Sequence, residues 1–596
     1  MCLAGLILWL FYPKLFYPVQ TQTVRSSNYA IFRGQPQPEL AAQATYDPQL
    51  FQPVAPWVGR LILKDKGVEL EVPMGDRYQL QWPDDPQVNR YRQLTKRDVQ
   101  FTAQAIASQA SGNINPERLQ RQAVDPLESL AGARPLDDVW VKLVPQRVEG
   151  STITIATEPI QIAGTHYALV QIVKSEADGQ STVRHFNRAT GKFDGPFSRM
   201  IIPQVVPDRD GVLRFTTKGL EASRSNQIGW YVYGRKTTTG EFLVQAIAPR
   251  QLFQLNPQAT FPTTEAGIRY ITKQTWEQSR QDTTQVAWLA NLPQSRQRLG
   301  DRAIIRPESD WRLGDRAIVM HIFGGIGGAQ AEPTTFGIVT GHFSYGLAEV
   351  IWEPLAAELQ WQITYYQIYA HNPDGIISGK ISWAEYMGNL ERGWLGNRPI
   401  ADILIHLPAV TQDYDFGGTA LSPWDEFQTQ LMVMMARYRV GDGTGAALVT
   451  PATSCVQDSN QALYVTIRKI TDQVAGSAQI QQWLAQNPNH PQTQRFNQLA
   501  ILGQALEKEL EPLGIVRGDW QRSVQEVIGT GQKASFLGEF MAALTTWRTL
   551  LPRAAFDRLA KIFLGQGAQL WIIRTNQVGG TNPQIAPLPP TAPHFF

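Results

Sequence analysis

The chain has 596 residues, 43% of them hydrophobic and 18% charged, apolar material for roughly three or four domains. Lys plus Arg (54) nearly cancels Asp plus Glu (52), and a net charge of +2 gives no electrostatic ground for expecting nucleic acid as a partner. Two cysteines exclude a disulfide scaffold, and 17 Trp with 18 Tyr exclude a disordered chain.

Residues 1–20 open with Met1-Cys-Leu-Ala-Gly-Leu-Ile-Leu-Trp-Leu-Phe-Tyr-Pro13-Lys14, apolar throughout but for the last residue. That is short of the ~20 residues a spanning helix needs. Polar sequence follows at once, so the segment reads as the end of a membrane anchor, with everything after it standing in water. Lys14 alone does not decide the side. Residues 21–56 are rich in Pro and Gln and read as a linker.

Period-two patterning dominates residues 57–255. Val139-Trp-Val-Lys-Leu-Val, His166-Tyr-Ala-Leu-Val-Gln-Ile-Val and Phe242-Leu-Val-Gln-Ala-Ile alternate, and turns at Asp178-Gly, Thr190-Gly, Asp210-Gly and Thr239-Gly separate them. This stretch is predicted to be all-β, a sandwich or barrel whose default work is binding or packing. Residues 256–297 read as a helical connector. Residues 298–474 alternate strands with helices, and Arg298-Leu-Gly-Asp-Arg-Ala-Ile recurs at Arg312-Leu-Gly-Asp-Arg-Ala-Ile. Helices fill 475–570, and 571–596 is a Pro- and Gly-rich flexible tail. The predicted fold class is therefore α+β and multidomain: an N-terminal all-β region, an α/β region and a C-terminal helical region.

Chemistry concentrates in the α/β region. Cys455 follows Pro451-Ala-Thr-Ser and opens a helix that Thr453 or Ser454 can cap. A helix N-terminus presents unpaired N–H groups and a partial positive charge, both of which favour a nucleophilic thiolate. His342 lies in the strand Phe336-Gly-Ile-Val-Thr-Gly-His-Phe-Ser-Tyr-Gly, on one face with Ser344, Gly346 and Ala348, whose small side chains leave room beside the imidazole. The next strand, Trp361 to His371, offers Gln362, Thr364, Gln367 and His371 to hold the ring. Cys455 as nucleophile, His342 as base and Gln367 or His371 as orienting group form the candidate catalytic set.

Gly-Asp at a strand start, Gly341-His-Phe-Ser-Tyr-Gly on the next strand and a cysteine at a later helix start resemble the circularly permuted papain-like thiol enzymes. These include the NlpC-type peptidases and the lecithin–retinol acyltransferase-like proteins, in which His precedes Cys. The resemblance covers about Arg312 to Ile470 and implies a papain-like fold and an acylated cysteine. It also implies a peptide, acyl or amide substrate. The 113-residue separation of His342 from Cys455 is longer than compact members need. Gly341–Val350, Tyr369–Ile377 and Trp394–Pro399 also resemble proteins of photosynthetic bacteria labelled predicted Abi (CAAX) family protease. That label implies an intramembrane metalloprotease, but the Glu-Glu-x-x-x-Arg motif is absent and only one apolar segment exists.

Other chemistries find less in the residues. No His-Glu-x-x-His or similar ligand spacing occurs, so neither a metal nor a cofactor is expected. Ala370 and Ile381 stand where a calcium loop needs carboxylates. Gly324-Gly-Ile-Gly-Gly328 lacks the Lys-Ser/Thr of a P-loop. Ser344, with His406 or His490, falls one glycine short of a nucleophile elbow. A binding or scaffold protein with Cys455 buried is the non-enzymatic alternative.

Overall fold

The computed structural model describes residues 166–176, 179–203, 219–236, 241–261, 263–274, 283–290, 311–329, 337–372, 375–390, 398–440, 454–516, 551–578 and 583–592. Positions 276 and 331, and backbone stretches between 59 and 163, are described as well. The expected anchor, the linker and the first copy of the Arg-Leu-Gly-Asp-Arg repeat lie outside the described residues.

Five strands close into a barrel: β1 (His166–Ser175), β2 (Gln180–His185), β3 (Phe197–Ile201), β4 (Trp230–Lys236) and β5 (Phe242–Pro249). Neighbours around the ring run β1-β2-β3-β5-β4 and back to β1. All pairs are antiparallel except β3 with β5, which is parallel. A short helix, Arg224–Ile228, lies between β3 and β4 in the chain; its Ser223 cap accepts from the Ser225 N–H.

The second body is a twelve-stranded sheet. Its first described side begins with β6 (Ala259–Phe261) and β7 (Thr283–Ala290). The centre holds β8 (Arg316–Phe323), β9 (His342–Glu353), β10 (Glu358–Asn372), β11 (Gly375–Ser382) and β12 (Ile400–His406). The last strand, β13 (Gln569–Asn576), comes from the chain's end, and the order is β6-β7-β13-β12-β8-β9-β10-β11. From β7 to β11 every pairing is antiparallel. Four more strands, Ile160–Ile162, Val139–Leu143, Gly59–Asp65 and Val68–Glu71, complete the far side.

Both faces of this sheet are covered, which is why β8 reads as an almost unbroken apolar run. On one face Ile318, Met320, Ile322, Phe343 and Tyr345 pack with the helices Pro423–Val440, Cys455–Gly476, Pro491–Leu510 and Pro552–Gly565. On the other, Val319, Phe323, Val350, Trp361 and Tyr365 share a core with the barrel and the short helix Trp383–Met387. Polar contacts tie the barrel to the β9–β10 hairpin. The buried Tyr231 hydroxyl lies 3.0 Å from Glu353 Oε2 and 3.1 Å from Gln360 Oε1. Arg250 forks onto Glu358 at 2.9 and 2.6 Å with its guanidinium over the Phe186 ring.

The overall α+β class agrees with expectation. Two segments differ from it. The stretch 256–297, expected to be helical, carries β6 and β7 besides the Thr264–Arg269 helix and the π-helical turn Tyr270–Gln274. The expected loose tail, 571–596, contains most of β13 and the strand Ile585–Leu588, which pairs with Gly325–Gly328. Burial is the reason: Leu570 to Ile573 are apolar and closed on both sides by β7 and β12. The glycine run 324–328 thus serves as a strand. A Cβ on Gly324 would sit 2.0 Å from Leu588 O, so only glycine allows that approach.

Truncating Trp571 tests the placement of the last strand. Trp571→Ala is expected to destabilise the chain by about 3–5 kcal/mol in denaturant unfolding. Trp352→Ala, at a residue 55% exposed, is expected to change it by no more than about 0.5 kcal/mol.

Candidate functional site

Cys455 begins its helix, Cys455–Gly476, as expected, and Ser454 is the cap, its Oγ accepting from the Gln457 N–H at 3.3 Å. The environment differs from what a nucleophile requires. Cys455 is 7% exposed and packs in the helix-side core with Phe343, Val456 and their neighbours. Burial pushes its thiol up to about 12, although the backbone N–H groups of Phe343, Val456 and Cys455 itself pull the other way. The helix terminus does favour the anion; loss of water outweighs it.

His342 is the first residue of β9 rather than the middle of a longer strand. Its ring packs against Phe323, His321 and Tyr386, on the barrel-side face. Its neighbour Phe343 points the other way, into the core that holds Cys455. Successive side chains of a strand point to opposite faces, so sheet backbone separates the His342 imidazole from the Cys455 thiol. The ring is held down at about 3, first by burial and then by the His321 ring beside it. It is neutral at ordinary pH.

Gln367 does what an orienting residue is expected to do. The His342 Nε2–H donates to its Oε1 at 2.9 Å, and its own amide donates to Ser344 Oγ at 3.4 Å. His371 pairs in register with Ile376, past a bulge between Gln367 and Ala370 that breaks the strand's alternation. The room expected beside Ser344, Gly346 and Ala348 is filled. A Cβ on Gly346 would lie 2.7 Å from Thr364 O and 3.0 Å from the Tyr365 ring.

The polar centre of this face involves two residues that the sequence reading passed over, His321 and Asp402. Register places Asp402 on β12 opposite His321 on β8, and His321 opposite Ser344 on β9. Gln367 on β10 continues the row. Asp402 Oδ1 meets His321 Nδ1, and Asp402 Oδ2 accepts from the Tyr365 hydroxyl and, at 2.9 Å, from the Trp383 indole N–H. His321, Ser344, Gln367 and Asp402 are all at 0% exposure. The available signal was a lone His and a lone Asp in otherwise apolar strands, Arg316-Ala-Ile-Val-Met-His-Ile-Phe and Ile400-Ala-Asp-Ile-Leu-Ile. Such residues are buried and need partners.

Carboxyl, imidazole and hydroxyl stand in the order of an acyl-transfer triad. The hydroxyl, however, accepts from Gln367, and His321 Nε2 has no hydrogen-bond partner among the described residues. The other two histidines weighed as bases for Ser344 are engaged elsewhere. His406 Nδ1 donates to Arg316 O at 3.0 Å, and His490 caps a helix. Among the described residues no group of His, Cys, Asp or Glu is arranged to hold a metal. No family model, curated protein or solved structure matches this chain.

Removing the imidazole of His321 leaves Asp402 short of a buried partner, so His321→Ala is expected to cost about 3–5 kcal/mol in denaturant unfolding. Gln362→Ala, at an exposed position of β10, should cost under about 0.5 kcal/mol. For His342 the folded value lies below that of the unfolded chain. Its contribution is therefore complete above the unfolded value near 6.5 and is lost as pH falls toward about 3. Unfolding titrations at pH 7, 5.5 and 4.5 should show the wild type losing more stability than His342→Gln over that window.

Proposed function

We propose that this chain is a non-catalytic binding protein, tethered to a membrane through its apolar N-terminal segment. The observation behind this reading is the separation of Cys455 from His342: a sealed, protonated thiol on one face of the sheet and a neutral, amide-bonded imidazole on the other. Acyl transfer needs the two within hydrogen-bond reach in a cleft that admits substrate. The Asp402–His321–Ser344 row meets the chemical order of a triad but is closed to solvent. On this reading the row acts as an internal polar lock on strand register. The runner-up is a membrane-anchored cysteine peptidase, amidase or acyltransferase, with Cys455 attacking a peptide, acyl or amide carbonyl.

Two probes separate the readings. A chloroacetamide probe should label native Cys455 slowly at neutral pH, at a rate unchanged by His342→Ala, and quickly once the chain is unfolded in urea. Fast native labelling that His342→Ala abolishes would establish the thiol enzyme instead. A fluorophosphonate should leave Ser344 unmodified. Among the described residues no helix is long and apolar enough to cross a membrane, so the tether rests on residues 1–20. Carbonate washing of membranes carrying the full chain should leave it in the pellet; full release removes the tether from the proposal.

A further inference from the structure

Residues 583–592 lie as a strap along the glycine strand. Ile585–Leu588 pairs antiparallel with Gly325–Gly328, the Thr591 N–H donates to Val339 O at 2.9 Å, and Thr591 Oγ1 accepts from the Val339 N–H at 2.9 Å. Its apolar anchorage is slight: Ile585 packs with Ile326 as a separate small core, and Ala586 is exposed. A segment held by main-chain bonds with so little buried apolar area belongs to the part of a fold that opens first.

Arg553 clasps the strap from the helix Pro552–Gly565. Its Nη1 donates to Pro590 O at 3.0 Å and its Nη2 to Thr272 O at 2.5 Å, with the guanidinium over the Trp276 ring. One turn on, Asp557 is 8% exposed; its Oδ2 lies 3.7 Å from Arg553 Nε, and its Oδ1 has no hydrogen-bond partner. At 3.7 Å the two groups attract without a hydrogen bond. Burial pushes the Asp557 carboxyl up to about 7, while Arg553 and then Lys561 pull the other way. The elements packed on this helix bring other charges. The helix Thr264–Arg269 and the turn Tyr270–Gln274 carry Glu265, Arg269, Tyr270 and Lys273, and the helix Pro491–Leu510 carries Arg495, Glu507, Lys508 and Glu509. Tyr270 bonds Arg574, Arg495 reaches Gln412, Glu507 acts on Tyr464 and Glu509 pairs with Arg558. On β8 and β9, Arg316 pairs with Asp413, Arg316 and Glu349 are opposed in register at the strand ends remote from His342, and His321 and His342 face the barrel. Among the described residues the charges that shift Asp557 are Arg553 and Lys561.

We propose that Asp557 and Arg553 form a pH-responsive latch: protonated Asp557 leaves Arg553 on Pro590 and the strap closed, and ionised Asp557 draws Arg553 away and frees the Gly325–Gly328 edge. A neutral carboxyl makes little claim on the guanidinium. An ionised one has a bare buried oxygen, and a charged acceptor outcompetes a neutral carbonyl. The closed-state value lies above the 3.8 of a free carboxyl. Closure is therefore favoured fully below that value, and the advantage is lost as pH rises toward about 7. The latch goes beyond the binding reading above and stands whether or not that reading holds.

Hydrogen–deuterium exchange of the full chain at pH 5 and pH 8, with rates corrected for intrinsic chemistry, tests it. The amides of Gly325–Gly328 and Ile585–Thr591 are expected to lose protection by about 10- to 100-fold at the higher pH, while those of the helix Cys455–Gly476 keep theirs. Asp557→Asn should hold the pH 5 protection at both values. Arg553→Gln should lower protection at both and remove the difference. Equal protection of the wild-type strap at the two pH values overturns the proposal without recourse to any variant. So does a difference that survives Asp557→Asn, or one shared equally by the helix Cys455–Gly476, which would mark global unfolding.

Discussion

A sheet covered on both faces sends every second side chain into a different core. That constraint governs most of what this chain does with its chemistry. In β9 it sends Phe343, Tyr345 and Leu347 toward the helices, and His342, Ser344 and Ala348 toward the barrel. Residues that neighbour in sequence are thereby placed in two different cores. Cys455 and His342 fall on either side of this division, and their opposite shifts follow. A buried thiol keeps its proton and a buried imidazole sheds its own, because desolvation opposes whichever form is charged.

The same geometry makes the polar row coherent. Asp402, His321, Ser344 and Gln367 stand on four adjacent strands, so a slip of one residue in any pairing would turn its member to the opposite face, away from these partners. The Asp402 carboxyl is met by His321, Tyr365 and Trp383, from two strands and one short helix. A carboxyl so fully enclosed is tolerable only when its oxygens are satisfied. The tie between the barrel and the sheet also rests on satisfied carboxyls: Glu353 and Glu358, at the tip of one hairpin, are met by Tyr231 and Arg250 from the barrel side. Burial raises Glu353 above the usual carboxylate range, and the Ala356 and Leu355 N–H groups and the Tyr231 hydroxyl offset part of that.

Much of the local structure was legible because it depends on short-range patterns. Alternation marked β1 and β5, and Ser454 before Cys455 marked the helix start. Gln367 as the partner of His342 was also within reach, since both lie on adjacent strands on the face their spacing implies. What patterns of this length could not carry was distance along the chain. β13 joins β7 and β12 across hundreds of residues, and its apolar run stood too close to a Pro- and Gly-rich terminus to read as a central strand.

By itself the sequence determined the periodicities, and with them the α+β class, the helix that Cys455 opens and the residues sharing a strand face with His342. Tertiary structure decided which face met which core. It closed the thiol away from the imidazole, brought Asp402 to His321, and rolled five alternating strands into a ring whose outer side leaves Phe197 and Arg199 in water. The physical reason is that period and capping are properties of neighbouring residues. Desolvation and strand order are properties of what the rest of the chain packs against them.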